Sequence, residues 1–261
     1  MRFGIKTGAN EFFFLDPEKL NKWGIEDEFL KPVIKNPRES KNIHLKPNDL
    51  KHNIFMCHKD KKDLKKTNVL AYIEWGEKQG FHERPSCSGR RRWWDLGTWD
   101  CADCFWMESI NDINRVYIND SNLLESDKFY GVTFRSKENS KYYSLLLNST
   151  LYCLFRELKG FAAMGEGVLK LPVYDVKDIY FVIPSKKGEL NIDREVSSIF
   201  TELGINPSRP IREQKPNPLP DRESLDDIVF NILNLTDDER NEVYWSVCKL
   251  VKNRLEKAKS V

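Results

Sequence analysis

The spacing of apolar residues in the second half of the chain most constrains the fold. Three short strand-like runs, at 104–107, 115–118 and 129–134, are separated by polar turns. They precede a segment, 142–159, whose apolar residues recur at i, i+4, i+7, i+8 and i+11, the spacing of one helix face. These residues are Leu147, Leu151, Leu154, Phe155 and Leu158. Short strands combined with one strong amphipathic helix predict an α+β fold.

The remaining elements of the main domain are shorter. Residues 3–15 predict two short strands flanking a turn that contains Gly8 and Asn10. The polar, proline-punctuated segment 16–49 predicts one short helix around 23–30. A buried strand is predicted at 52–57, a helix at 69–79 ended by Gly80, and further strands at 168–171 and 179–183.

Five prolines divide the chain near its C-terminal end. They lie within 206–221 and predict an extended linker. Beyond it, two short apolar stripes predict a helical hairpin over 222–261, and Thr236 and Glu239 have the spacing of a capping box between the helices. The predicted organisation is a main domain at 1–205, the linker, and a hairpin that docks on that domain. The stripes are too short for a coiled-coil dimerisation arm.

Composition excludes several classes of protein. The 261 residues are 40% hydrophobic and 31% charged, which is typical of a globular domain, and the net charge of +2 excludes a generally basic DNA binder. Any affinity for DNA must therefore come from charge placed locally. The absence of a signal peptide or of an 18-residue apolar stretch predicts no membrane association, a cytoplasmic location and six reduced cysteines.

A cluster of arginines beside two tryptophans is the strongest local candidate for DNA contact. Arg90, Arg91 and Arg92 directly precede Trp93 and Trp94. Guanidinium groups bind phosphate bidentately, and indoles stack on or wedge between bases. These residues alone favour a half-buried aromatic strip with solvated arginines over a DNA contact.

The sequence lacks the usual catalytic motifs. It contains no glycine-rich phosphate loop, no Gly-x-Ser-x-Gly elbow and no His-Glu-x-x-His. Cys101 and Cys104 have the spacing of half a zinc site, but no second pair at metal-ligand spacing completes it. We therefore expect no catalytic residue and no metal in this chain.

Four segments stand out in order along the chain. They are Gly4-Ile-Lys-Thr-Gly8-Ala-Asn10-Glu-Phe12, Arg90-Arg-Arg-Trp93-Trp94-Asp-Leu96, the unit from Leu147-Asn148-Ser149 through Gly160 to Gly165-Glu-Gly167 and Leu171, and the C-terminal tail from Asp221. Together they resemble the target recognition domain of N6-adenine DNA methyltransferases. The family branch includes the TaqI-like methylases, the Eco57I-like fused restriction-modification enzymes and, more distantly, the type I specificity subunits.

The resemblance implies a mixed-sheet α+β domain that recognises a DNA sequence while a separate domain flips and methylates adenine. The partners implied are double-stranded DNA and a methyltransferase catalytic domain or subunit. This sequence has neither the glycine-rich cofactor loop nor the Asn-Pro-Pro-Tyr motif of that catalytic half. We therefore expect S-adenosylmethionine to bind elsewhere, and this chain to be a fragment or the product of a split gene. Whether the intact protein also cleaves DNA stays open.

The predicted DNA-binding residues follow from the motifs and their chemistry. They are Lys6, Thr7, Asn10, Arg90, Arg91, Arg92, Trp93 and Arg115. One of Trp93 and Trp94 is expected to pack inside and the other to support the loop. The alternative function is a protein-interaction scaffold that docks through the Trp93-Trp94 surface and the C-terminal hairpin.

Overall fold

The computed structural model describes residues 1–163, 167–184, 190 and 192–259. In these residues the strands are β1 (Arg2–Phe3), β2 (Phe14–Leu15), β3 (Leu30–Ile34), β4 (His52–Phe55), β5 (Cys104–Met107), β6 (Ser109–Ile110), β7 (Val116–Ile118), β8 (Leu124–Glu125), β9 (Phe129–Val132), β10 (Phe161–Ala163) and β11 (Val168–Lys170). The α-helices are α1 (Asn10–Phe13), α2 (Pro17–Trp23), α3 (Asn68–Lys78), α4 (Pro85–Ser88), α5 (Ser140–Leu146), α6 (Thr150–Lys159), α7 (Val173–Lys177), α8 (Ile199–Glu202), α9 (Pro220–Ile232) and α10 (Asp237–Lys259). This mixture confirms the α+β class.

The strands form three small sheets. Their strand orders are β1-β9-β5-β7, β2-β4-β3-β8 and β10-β11-β6. The β3–β8 pair is parallel and the other pairs are antiparallel. Strands β5 and β9 are buried along their whole length, which explains why both read as apolar runs.

Two large apolar clusters hold the sheets and helices together. The first, which we call the N-terminal core, surrounds Phe12 with aromatic side chains from α3 and from the loop after α4. The second joins α5 and α6 to both C-terminal helices. The C-terminal helices thus share a core with the main body, and they do not form a separately packed unit.

The short predicted elements with clear end signals are confirmed. Helix α3 begins after Thr67, whose Oγ1 accepts a hydrogen bond from the Leu70 amide, and it ends before Gly80 at φ +74°. The strand expected at 104–107 is present at full length, and those expected at 52–57, 115–118, 129–134 and 168–171 are present in slightly shortened form. At α10, Thr236 and Glu239 form the predicted capping box.

The single helix predicted for 142–159 is wrong. The chain forms α5 and α6 with a break at 147–149. The Asn148 side chain accepts from the Val116 amide at 2.8 Å and donates to the Val116 carbonyl at 3.0 Å, which holds the break against β7. The Asp226 carboxylate then accepts from the Thr150 amide at 2.6 Å and caps α6. These long-range bonds override a pattern that is helical throughout.

Three other predictions need correction. The turn between the two N-terminal strands contains α1. The helix expected around 23–30 lies earlier, at α2, and ends because Gly24 adopts the left-handed conformation at φ 56°. No strand forms at 179–183.

The proline-rich segment 206–221 packs against the protein instead of extending freely. The Asn217 amide donates to the Leu203 carbonyl and the Leu219 amide donates to the Glu202 carbonyl, both at 2.9 Å. The Trp245 indole on α10 donates to the Gln214 carbonyl within the segment at 2.8 Å.

In the described part of the chain, no helix is both long enough and apolar enough to cross a membrane.

Candidate nucleic-acid interface

The glycine turn (residues 4–10) lies between β1 and α1 and is fixed from both sides. The Gly4 amide donates to the Phe129 carbonyl and the Ile5 amide donates to the Glu125 carbonyl, both at 2.9 Å. Gly8 has φ +76°, and a Cβ added there would lie 2.5 Å from the Cβ of Ser86. This position therefore requires glycine for both its backbone conformation and its space.

Two predicted contact residues in the turn bond to each other. The Ala9 amide donates to Thr7 Oγ1 at 3.2 Å, and the Thr7 hydroxyl donates to Asn10 Oδ1 at 2.5 Å. Thr7 is buried at 2% exposure, whereas Asn10 and Lys6 are exposed. Thr7 consequently positions Asn10, and Asn10 and Lys6 are the accessible residues.

Arg90 binds the glycine turn. Its Nη2 donates to the Thr7 carbonyl at 2.8 Å and to the Lys6 carbonyl at 3.3 Å, and its Nη1 donates to the Trp93 carbonyl at 3.2 Å. Its guanidinium also lies 5.4 Å from the centre of the Phe13 ring. The structure thus brings the first two predicted motifs together, with Arg90 as the link between them.

The next two arginines differ sharply in their surroundings. Arg92 donates to Asp95 at 2.7 Å and to Asp60 at 2.9 Å, and these hydrogen bonds raise the pKa of Arg92. Arg91 is exposed, and none of the described residues bonds to its side chain. Of the three, Arg91 alone keeps its guanidinium accessible for an external phosphate.

Both tryptophans belong to the N-terminal core. Trp93 and Trp94 are each 7% exposed. Trp93 packs 4.5 Å from the ring of Phe12, and its indole donates to Glu77 at 3.2 Å. The expectation that one indole would remain outside to support the loop is wrong, and the aromatic docking surface of the alternative function does not form.

Arg115 is placed inside the fold, away from the glycine turn. It is 7% exposed, and it donates to the Ser40 carbonyl at 2.9 Å and to the Pro37 carbonyl at 3.4 Å. Because Arg115 and Trp93 are buried and bonded internally, neither is kept in the set of proposed DNA contacts.

A polar notch of about 390 Å³ opens beside the glycine turn. It is lined by Lys6, Thr7, Gly8, Asn10, Glu11, Arg84, Ser86 and Asp127. Sequence reasoning found Lys6, Thr7 and Asn10 but missed Arg84, Ser86 and Asp127, which come from α4 and from the turn after β8. No local pattern marks these residues, because only long-range contacts, such as the bond from the Cys87 thiol to the Thr7 carbonyl, bring them to the turn.

One ion pair inside the notch is already satisfied. Arg84 Nη1 donates to Glu11 Oε2 at 2.8 Å, and this hydrogen bond lowers the pKa of Glu11.

The carboxylate of Glu125, whose backbone carbonyl binds the glycine turn, has a different environment. Glu125 is fully buried, and its one ion-pair partner among the described residues is Arg2, at 3.5 Å. Burial raises the pKa of Glu125 to about 7.

Cys101 and Cys104, which have the spacing of half a zinc site, differ in their burial and in their hydrogen bonds. Cys104 is fully buried in β5, and burial raises its pKa to about 12. The Cys101 thiol donates to the Asn122 carbonyl at 3.1 Å. In the part of the chain that the structure describes, no three His, Cys, Asp or Glu side chains come together as a possible metal site.

Residues 1–202 match a known family model. They include the glycine turn, the arginine loop (residues 90–92, after α4) and all three sheets. The family model describes the C-terminal domain of the Type II methyltransferase M.Eco57I. This chain belongs to that family. Among curated proteins, the Type II methyltransferase M.AccI of Acinetobacter calcoaceticus is 25% identical over 99 residues. That match covers 36% of this chain and 18% of M.AccI, so the shared region is a small part of the relative. The M.Eco57I C-terminal domain match ends before the proline-rich segment and the last two helices.

Proposed function

We propose that this chain is the DNA target recognition module of an N6-adenine methyltransferase in a restriction-modification system. It acts without methyl-transfer chemistry of its own, and a catalytic domain or subunit that binds S-adenosylmethionine supplies that step. Family membership supports the methyltransferase context. The lack of a glycine-rich cofactor loop and of an Asn-Pro-Pro-Tyr motif supports placing the cofactor outside this chain.

The observation that carries the proposal is the set of unused polar groups around the notch. Lys6, Asn10 and Ser86 are exposed, and Arg91 follows directly on the arginine that binds the turn. The backbone of the glycine turn is held in place: its amides donate to the carbonyls of Phe129 and Glu125, and Arg90 donates to the Lys6 carbonyl. A rigid backbone that presents unpartnered donors lowers the ordering cost of binding a polar partner such as duplex DNA.

The proposed roles divide by environment. Lys6 and Arg91 neutralise phosphate charge, Asn10 contacts a base edge or the backbone, and Thr7 and Arg90 hold Asn10 and the turn in place. Arg92 stabilises the loop through its two carboxylate partners. This assignment leaves two cationic side chains, Lys6 and Arg91, in contact with phosphate. We therefore expect the affinity for DNA to depend only modestly on salt concentration.

The test is the salt dependence of DNA binding, measured by fluorescence anisotropy with the chain alone and with the catalytic domain added. Replacing Arg91 or Lys6 by alanine should flatten the plot of log K against log salt by about 0.9 for each lost phosphate contact. Arg209→Ala removes an exposed arginine outside the interface and serves as the matched control.

Arg90→Ala should weaken binding at every salt concentration without a comparable change in slope, because Arg90 acts through the turn. An unchanged slope in both Arg91→Ala and Lys6→Ala would remove these residues from the interface. Failure to bind DNA both alone and with the catalytic domain would refute the recognition function.

A further inference from the structure

The notch presents hydrogen-bond donors and an acceptor side by side. Lys6 Nζ, Asn10 Nδ2 and Ser86 Oγ supply donors, and Asp127 supplies a carboxylate. None of these groups has a hydrogen-bond or ion-pair partner among the described residues; Lys6 Nζ has only the Phe3 ring, 4.9 Å away. Asp127 lies in the turn between β8 and β9, more than 100 residues after the glycine turn in the sequence.

The orientation of the Asn10 amide is fixed by its neighbour. Since the Thr7 hydroxyl donates to Asn10 Oδ1, the oxygen side of the amide faces Thr7. The Nδ2 group therefore remains as the donor available to a ligand. Asn10 alone is thus poorly arranged for the usual bidentate contact with adenine, which needs its oxygen and its nitrogen together.

The turn that carries Asp127 is also held rigidly. The Ser126 hydroxyl donates to the Lys35 carbonyl at 2.7 Å, and the Lys128 amide donates to Ser126 Oγ at 3.3 Å. The Phe129 amide closes the turn by donating to the Ser126 carbonyl at 3.1 Å. Asp127 therefore projects from a fixed backbone, as a residue that reads a ligand must.

The charges around the notch argue against a phosphate ligand. The lining contains two cations, Lys6 and Arg84, and two anions, Glu11 and Asp127. Arg84 is already paired with Glu11, so a bound phosphate would face Asp127 with only Lys6 to compensate. Anion sites are built from donors, and an unpaired carboxylate repels the ligand.

The edge of a nucleobase fits the same groups better. In the major groove adenine presents the N7 acceptor beside the N6 amino donor, and cytosine presents the N4 amino donor. A carboxylate accepts from either amino group, and Asn10 Nδ2 donates to an adjacent acceptor. Guanine and thymine place a carbonyl oxygen at the corresponding position, where it would face the Asp127 carboxylate.

We propose that Asp127 and Asn10 form a donor-acceptor pair that selects a base with an exocyclic amino group, adenine or cytosine, over guanine or thymine at one position of the recognised site. The proposal rests on the DNA-recognition function proposed above. It adds Asp127 as a specificity-determining residue, and it assigns phosphate binding to Lys6, which lines the notch, and to Arg91, which follows Arg90 in the chain.

The experiment selects binding sequences from a random duplex library with the chain and its catalytic domain, and compares the base preferences of three proteins. The wild type should prefer adenine or cytosine at one position. Asp127→Asn, which exchanges an acceptor-only group for one that also donates, should reduce that preference roughly ten-fold and leave the other positions unchanged. Asp178→Asn alters an exposed carboxylate that does not line the notch, and it should match the wild type.

A second measurement compares two DNAs with each protein, so a general loss of binding in the variant cancels in the comparison. At the selected position, the base is replaced by the analogue that lacks the amino group, and affinities are measured for the wild type and Asp127→Asn. The wild type should lose roughly ten-fold in affinity, and the variant should lose little more, because its contact is already gone.

Three outcomes would overturn the inference while leaving DNA recognition intact. They are an unchanged preference matrix in Asp127→Asn, an equal loss from the analogue in both proteins, and a uniform gain in affinity on all sequences. The last would show that the carboxylate only repels the DNA backbone. If the wild type binds no DNA in either form, the proposed function fails and this inference fails with it.

Discussion

Glu125 makes the stability of this protein depend on pH in a predictable direction. The side chain is fully buried, and neither carboxylate oxygen has a hydrogen-bond partner among the described residues. Burial raises the pKa of Glu125 from 4.5 to about 7, although Arg2 opposes the change. This difference corresponds to about 3 kcal/mol, since each pKa unit is worth about 1.4 kcal/mol.

The sign follows from which state binds the proton more tightly. Because the folded-state pKa is raised, the folded protein favours the protonated carboxyl. The associated stability is fully present below pH 4.5 and is lost as the pH rises through about 7. Glu125→Gln keeps the shape of the side chain but does not titrate. The free energy of unfolding of this variant should therefore rise relative to the wild type by about 3 kcal/mol between about pH 4.5 and about pH 8.

The assay is urea denaturation of both proteins at several pH values, with tryptophan fluorescence as the signal that monitors unfolding. Other titrating groups are common to both proteins, so they cancel in the difference between the two unfolding free energies. Glu74→Gln, on the exposed face of α3, makes the same chemical change at a surface position and serves as the matched control. A constant difference between Glu125→Gln and the wild type across this range would refute the argument.

Three further predictions concern stability and the turn. Asp226→Ala should lower the free energy of unfolding by about 3 kcal/mol in a denaturation experiment, because it leaves the buried start of α6 uncapped. The control Asp227→Ala, at a partly exposed ion pair, should lower it by less than about 1 kcal/mol. Equal costs would contradict the capping role. Trp93→Ala should cost about 3–5 kcal/mol by the same measurement, and a cost below about 1 kcal/mol would show that the indole lies outside the core. Gly8→Ala should lower the free energy of unfolding by about 1–3 kcal/mol and weaken DNA binding, because φ +76° and Ser86 both oppose a side chain there. Wild-type affinity for DNA in this variant would exclude the turn from the interface.

The family and several local elements could be predicted from the sequence. Helix α3 and the capping box of α10 depend on residues within a few positions of one another, so their patterns survive in a linear reading. The strands β4, β5, β7 and β9 were also found, because each is a short apolar run bounded by polar turns.

Part of the candidate site was predicted and part was not. The glycine turn and the arginine loop were identified as separate motifs, and Arg90 joins them. The roles within the loop were not predictable, because three consecutive arginines look alike until their partners are known. Arg92 forms ion pairs with two carboxylates, whereas Arg91 forms none among the described residues and acts on Asp60 only through its charge.

The sequence by itself determined the α+β class, the family and the position of the glycine turn, because these depend on local spacing and on motif order. Only the tertiary structure decided that the helix breaks at Asn148, that both tryptophans are buried, and that Asp127 and Asn10 line the same notch. The physical reason is that the hydrogen bonds and charges responsible join residues far apart in the chain, and local propensity contains no information about such partners.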